Sequence, residues 1–155
     1  MNFKVIPIPT EIAKTAREKM VSPQYKSLMA ISAVANGYGP CRSCLKTFRQ
    51  GQEDRIYITY NSSDGLSDLP SPGPIFLHKE NCEQFESDGF PFELRDLPML
   101  FEGFGNDSEL ILREKVQSEI LESQIDSIFR SSTIKYINIR NAEAGCFIAR
   151  IDRIA

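Results

Sequence analysis

The chain predicts a single α+β domain over residues 1–155, with a mixed or antiparallel sheet packed against two helices and a C-terminal β-hairpin. Three observations carry that expectation. Apolar alternation at 55–61 and 146–153 has the period of strands, and 109–113 and 134–140 read as strands flanking turns. One long 3.6-residue stripe between about Lys115 and Arg130 has the period of a helix. Finally, 155 residues at 41% hydrophobic, 10% aromatic and 25% charged are enough to bury one sizeable core, with no need of a staple.

The elements follow in order. Pro7 and Pro9 bracket an extended opening segment, and Thr10 then offers a hydroxyl cap to a short helix from Glu11 to Met20, with Ile12, Ala16 and Met20 at helical spacing. Ser27 to Ala35 reads as a strand that stops at the cluster Asn36-Gly37-Tyr38-Gly39-Pro40. Arg55 to Asn61 alternates Ile56, Ile58 and Tyr60 against Tyr57, Thr59 and Asn61, the pattern of a half-buried strand. Residues 61–74 are loop by composition, and Pro74 to His78 then forms a buried strand whose opening proline needs no ladder donor. Strands at Leu97–Phe104 and Glu109–Arg113 flank the turn Gly105-Asn106-Asp107. In the long helix Val116, Ile120, Leu121, Ile125, Ile128 and Phe129 face the core, while Glu119, Glu122, Gln124 and Asp126 face water. A hairpin of Ile134–Arg140 and Cys146–Arg153 closes the chain, and alternation places Cys146 on the parity of Arg150 and Asp152.

Charge and hydropathy exclude several classes. A net charge of −3 and a pI near 5.3 argue against a surface that neutralises many phosphates, so nucleic acid is a poor partner. Two prolines interrupt the N-terminal apolar run before it reaches signal-peptide length, and no stretch approaches the ~20 apolar residues of a membrane span. The expected location is a reducing cytoplasm. There, cysteine pairs are read as metal ligands, redox thiols or small buried apolar residues, not as structural disulfides.

Reactive chemistry is concentrated in four cysteines and one histidine. Cys41 and Cys44 form a Cys-x-x-Cys pair in a turn announced by Gly37, Gly39 and Pro40, and His78 and Cys82 supply a second pair where a strand gives way to a polar turn. Together they make a Cys3His set, which tetrahedral zinc accepts. The stretch 45–77 between the pairs is more than twice the ~12–15 residues of a compact zinc finger, so only the fold can unite them. Leu45 also stands where a zinc knuckle commonly has glycine, the residue that adopts positive φ without strain. Two other readings stand beside the metal. The thiols are simply buried, as free cysteine often is; or Cys41 is a nucleophile or redox thiol, with His78 as its base and Asn138 or Asn141 orienting the imidazole. Asp64, Asp68, Glu80, Glu83 and Glu86 lie near the loop and the histidine without a spacing that assigns acid and base roles.

Three segments occur together in order: Gly37-Tyr38-Gly39-Pro40-Cys41-Arg42 with Cys44-Leu45, Gly73-Pro74-Ile75-Phe76-Leu77-His78 with Cys82, and Arg140-Asn141-Ala142 with Gly145-Cys146-Phe147. In these the chain resembles the bacterial family known as domain of unknown function 1203. The resemblance implies a short, single-domain cytoplasmic bacterial protein and brings with it no established activity, cofactor or catalytic residue. It directs attention to the three motif loops, where Arg42, Arg140 and Asn141 are the ligand-binding candidates. The function expected is that of a small binding or accessory protein with a structural zinc site; the alternative is a cysteine-dependent enzyme or thiol redox protein using Cys41 with His78.

Overall fold

The computed structural model describes residues 2–62 and 73–154. The loop expected over 61–74 lies mostly outside the described residues, and so do Asp64 and Asp68. In chain order the elements are β1 (Phe3–Ile6), α1 (Thr10–Lys19), β2 (Val21–Ser22), β3 (Tyr25–Met29), β4 (Ile31–Val34), β5 (Asp54–Tyr60), β6 (Gly73–His78), β7 (Met99–Phe104), β8 (Leu110–Lys115), α2 (Leu121–Phe129), β9 (Tyr136–Asn141) and β10 (Phe147–Arg153). Short 3-10 turns occupy Phe92–Leu94 and Ser118–Ile120. The chain divides into two compact units, a terminal one of Met1–Ile6 with Glu86–Ala155 and an inserted one of Pro7–Phe85. Among the described residues the ladders between strands are all antiparallel, and the one sheet expected resolves into three, of five, three and two strands.

The terminal unit holds the five-stranded sheet, in the order β1-β10-β9-β7-β8. Its centre is the expected C-terminal hairpin, in which Ile137 pairs with Ile151 and Ile139 with Ala149, all four buried. The opening segment, expected only as extended chain, is a true strand: β1 pairs with β10, and its Phe3 and Val5 are buried on alternate positions. Helix α2 is shorter than the stripe predicts. The β7–β8 ladder continues past its last strand residue, because Val116 N–H bonds the Met99 carbonyl at 3.0 Å. The Gln124 amide holds the same stretch extended, accepting from Gln117 N–H at 2.9 Å and donating to the Lys115 carbonyl at 2.8 Å. Gln124, expected to face water, is therefore buried beside Leu121, Ile125, Ile128 and Phe129, while Ile120 is exposed.

The inserted unit starts with α1, which buries Ala13 and Ala16 and ends where Met20 takes a left-handed φ of 51°. Thr10 does not cap it. Its hydroxyl donates instead to Gln84 Oε1 at 2.8 Å, and the first helical amides turn to the Pro9 carbonyl. The strand expected over 27–35 breaks at Ala30, whose N–H bonds the Met20 carbonyl at 2.9 Å. Before the break β3 pairs with β2, and after it β4 pairs with β5. The three-stranded sheet β4-β5-β6 has Ile56 opposite Leu77 and Ile58 opposite Ile75, four buried side chains on one face. Its register sets Arg55 against His78, which fixes the height of the histidine at the end of β6. Among the described residues, no helix is long and apolar enough to cross a membrane.

Candidate metal centre

The Cys-x-x-Cys loop is docked on the strand that carries the histidine. Cys41 forms an isolated parallel bridge with Phe76 of β6, and Arg42 N–H bonds the Phe76 carbonyl at 3.0 Å. The loop closes on itself through Leu45 N–H to the Cys41 carbonyl and Cys41 N–H to the Lys46 carbonyl, both at 2.9 Å. The chain after His78 is drawn to the same loop by Phe85 N–H on the Ser43 carbonyl at 2.9 Å, which returns Cys82 to the first pair.

The two distant pairs meet. One sulfur from each of Cys41, Cys44 and Cys82 and one imidazole nitrogen of His78 all lie within 4.8 Å of one another. Tetrahedral zinc, with Zn–S near 2.3 Å and Zn–N near 2.0 Å, sets edges of about 3.8 Å between sulfurs and about 3.5 Å between sulfur and nitrogen. Here Cys41 Sγ and Cys82 Sγ are 3.8 Å apart, and Cys44 Sγ and His78 Nδ1 are 3.4 Å apart. The donor types and these two separations are compatible with a metal ion, and Nδ1 is the imidazole nitrogen that faces a cysteine sulfur.

The backbone around the sulfurs has the form of a zinc knuckle. Leu45 adopts a φ of 60°, the left-handed conformation for which glycine was expected. That turn aims amides at sulfur: Cys44 N–H at the Cys41 thiol and Lys46 N–H at the Cys44 thiol. His78 N–H adds a further contact to Cys41 Sγ at 3.4 Å.

Two further side chains complete the surroundings, and neither was singled out by sequence. Glu53 Oε1 lies 3.4 Å from His78 Nε2, so the ring nitrogen turned away from the cysteines faces a carboxylate, the arrangement that orients a metal-bound histidine. Arg17 of α1 donates through Nη2 to Cys82 Sγ at 3.1 Å and through Nε to the His78 carbonyl at 3.0 Å. Three thiolates and a neutral imidazole around a divalent ion leave a net charge of about −1, which a guanidinium on one sulfur balances. No spacing motif reports either residue. Glu53 becomes visible only once β5 and β6 are set in register, and Arg17 only once α1 is docked.

Without metal, protons are shared unequally. Burial pushes the Cys41 thiol up, but its hydrogen bonds with Cys44, Cys82 and His78 outweigh burial and hold it well below the usual thiol range. Hydrogen bonding to Cys41 and Cys82, together with burial, pushes Cys44 far up. Hydrogen bonds with Cys41 and then Cys82 overcome burial at His78 and raise the imidazole to about 10. These shifts favour ionisation of Cys41, and a thiolate among soft donors is what a metal ion binds in place of a proton.

The remaining candidates lie elsewhere. Arg42 is buried in the inserted unit, on the loop between the two knuckle cysteines. Arg140 and Asn141 end β9 in the terminal unit, where Arg140 pairs with the buried Glu102 and donates to the Gly145 carbonyl at 3.0 Å. Asn141 Oδ1 accepts from Glu143 N–H at 2.8 Å and Ala144 N–H at 2.9 Å, shaping the hairpin turn. Asn138, Asn141 and Cys146 all belong to that unit, and Cys146 is half-buried at the turn.

Fold and site together define an α+β protein of mostly antiparallel sheet carrying a Cys3His cluster suited to a metal ion. The chain belongs to the family described as protein of unknown function (DUF1203), whose profile matches residues 38–153. All four candidate ligands fall inside that span, and Arg17 falls outside it. No curated protein and no solved structure matches the chain.

Proposed function

We propose that this protein is a zinc-binding protein in which Cys41, Cys44, His78 and Cys82 hold one zinc ion in a closed, structural site. The observation that carries this reading is the convergence of four soft donors from two segments far apart in sequence, within 4.8 Å, with the Cys41–Cys82 and Cys44–His78 separations close to the edges of a zinc tetrahedron. Four protein ligands leave no position for water, which is the mark of a structural and not a catalytic zinc site. The centre then ties the knuckle loop to the end of β6 in a protein that acts by binding or as an accessory. A reducing cytoplasm suits the three free thiols.

The enzyme reading has less support. Cys41 is fully buried, so a substrate in solution does not reach its sulfur. Elemental analysis of protein purified without a histidine tag tests the proposal. About one zinc per chain is expected, falling to a small fraction in Cys41→Ser and Cys44→Ser and unchanged in Cys146→Ser. Folded wild-type protein that neither carries zinc nor takes it up on titration overturns the proposal.

A further inference from the structure

We infer that Cys82 is a peroxide-reactive modification site: a hydroperoxide entering beside α1 oxidises it, Cys41 completes a disulfide, and the metal is released. The inference rests on the zinc reading above and adds a regulation to it.

Three observations single out Cys82. Of the candidate ligands, Cys41 and Cys44 are buried at 0% and 6% exposure, whereas Cys82 is only half-buried. Cys82 also lines a cavity of about 340 Å³ in the inserted unit, bounded by α1 on one side and the Ser43 and Asn81–Gln84 region on the other. That volume admits a small hydroperoxide readily. Third, the partner for a disulfide is already in place, since Cys41 Sγ is 3.8 Å from Cys82 Sγ. Cys44 Sγ lies within 4.8 Å of both sulfurs as well, but it is more closely engaged with His78 Nδ1, at 3.4 Å.

The chemistry balances with hydrogen peroxide as oxidant. The Cys82 thiolate gives an electron pair to the outer peroxide oxygen, the O–O bond breaks, and Cys82 becomes a sulfenic acid while hydroxide leaves. Lys14 and Arg17, against Glu18, give the cavity wall a cationic balance that favours the departing anion. The Cys41 thiolate then attacks the Cys82 sulfur, the S–O bond breaks, and a second hydroxide departs as the Cys41–Cys82 disulfide forms. Two thiolates have lost two electrons, the peroxide has gained them, and protons from solvent turn both hydroxides to water. Zinc, deprived of two of its four ligands, is released to water.

The experiment uses the full chain, with its zinc content measured first, treated with hydrogen peroxide in the presence of a chromogenic zinc chelator. Peptide mapping follows the thiols in time, and dimedone traps sulfenic acid in parallel. Expected are a dimedone adduct on Cys82 ahead of Cys41 and Cys44, one dominant Cys41–Cys82 disulfide, and zinc release in step with that disulfide. In Cys82→Ser protein, peroxide should leave Cys41 and Cys44 reduced. As a measurement independent of that variant, iodoacetamide on the wild type should label Cys82 roughly tenfold faster than either buried cysteine. A dominant Cys41–Cys44 disulfide, a first adduct on Cys41, or zinc retained while only Cys146 oxidises would overturn the inference and leave the zinc reading standing. Protein with no zinc at the outset defeats the zinc reading and this inference together.

Discussion

Leu45 shows how two residue-scale terms compete. A left-handed φ costs an L-residue about 1–2 kcal/mol, which is why glycine is the usual choice at this point of a knuckle. Leu45 is also 1% exposed, and truncating a buried leucine costs about 2–5 kcal/mol. Burial wins, and leucine holds the conformation that its backbone alone disfavours. Leu45→Gly is therefore expected to lower stability by about 1–3 kcal/mol despite relieving the strain, as measured by urea unfolding of the zinc-loaded protein. A gain in stability would show that the side chain's packing contributes less than its backbone strain. The same scale explains why Arg17 and Glu53 escaped the sequence: each acts through side-chain contacts with candidate ligands far from it in sequence, and a single arginine or glutamate carries no periodicity or spacing to mark it.

At the scale of elements, the site depends on how the knuckle loop and the β5–β6 pair are held together. Gly39 has a φ of 93°, and a Cβ there would land on the Phe48 ring. That ring packs edge-on against His78 with centroids 4.7 Å apart, so Gly39 supports a ligand through one intervening side chain. Gly51 also has a positive φ, 74°, but a Cβ there meets nothing within 4 Å. The two glycines separate backbone strain from crowding. Gly51→Ala is expected to cost about 1 kcal/mol, and Gly39→Ala about 2–4 kcal/mol with a loss of zinc affinity as well. Equal effects in unfolding and in zinc competition would mean that Phe48 yields freely and does not position His78. The strands of this region were legible because Ile56 and Ile58 alternate with Tyr57 and Thr59, and because Ile75 to Leu77 is a short apolar run opened by a proline. Their register was not, since the composition of residues 61–72 between β5 and β6 fixes no pairing, and with the register went the approach of Glu53 to His78.

For the whole molecule, all four candidate ligands and both flanking side chains come from Pro7–Phe85. Binding energy of a metal that requires the folded arrangement is folding energy of the segment that makes it. Chelation of zinc should consequently increase amide exchange most over 38–48 and 73–85, with little change in β9 and β10, as read by hydrogen-exchange mass spectrometry. Uniform loss of protection along the chain would place the stabilising effect of the metal outside the inserted unit. The long helix expected from Lys115 shows the complementary lesson on the terminal side. Its apolar stripe is real, yet Val116 continues a ladder to Met99, and the first six residues of the stripe stay out of the α-helix. Periodicity reports which side chains are apolar; it does not report a hydrogen bond made to a strand elsewhere.

By itself the sequence determined the α+β class, most of the strands, the Cys-x-x-Cys pair and the kind of donor set, because those follow from neighbours a few residues apart. It also placed the chain in its family through three ordered motifs. Only the tertiary structure decided that His78 and Cys82 reach Cys41 and Cys44, that Leu45 turns left-handed, that Arg17 and Glu53 flank the candidate ligands, and that Cys82 lines a cavity. Each of these depends on contacts between segments distant along the chain, whose energies appear only when the strands are paired and the loop is docked.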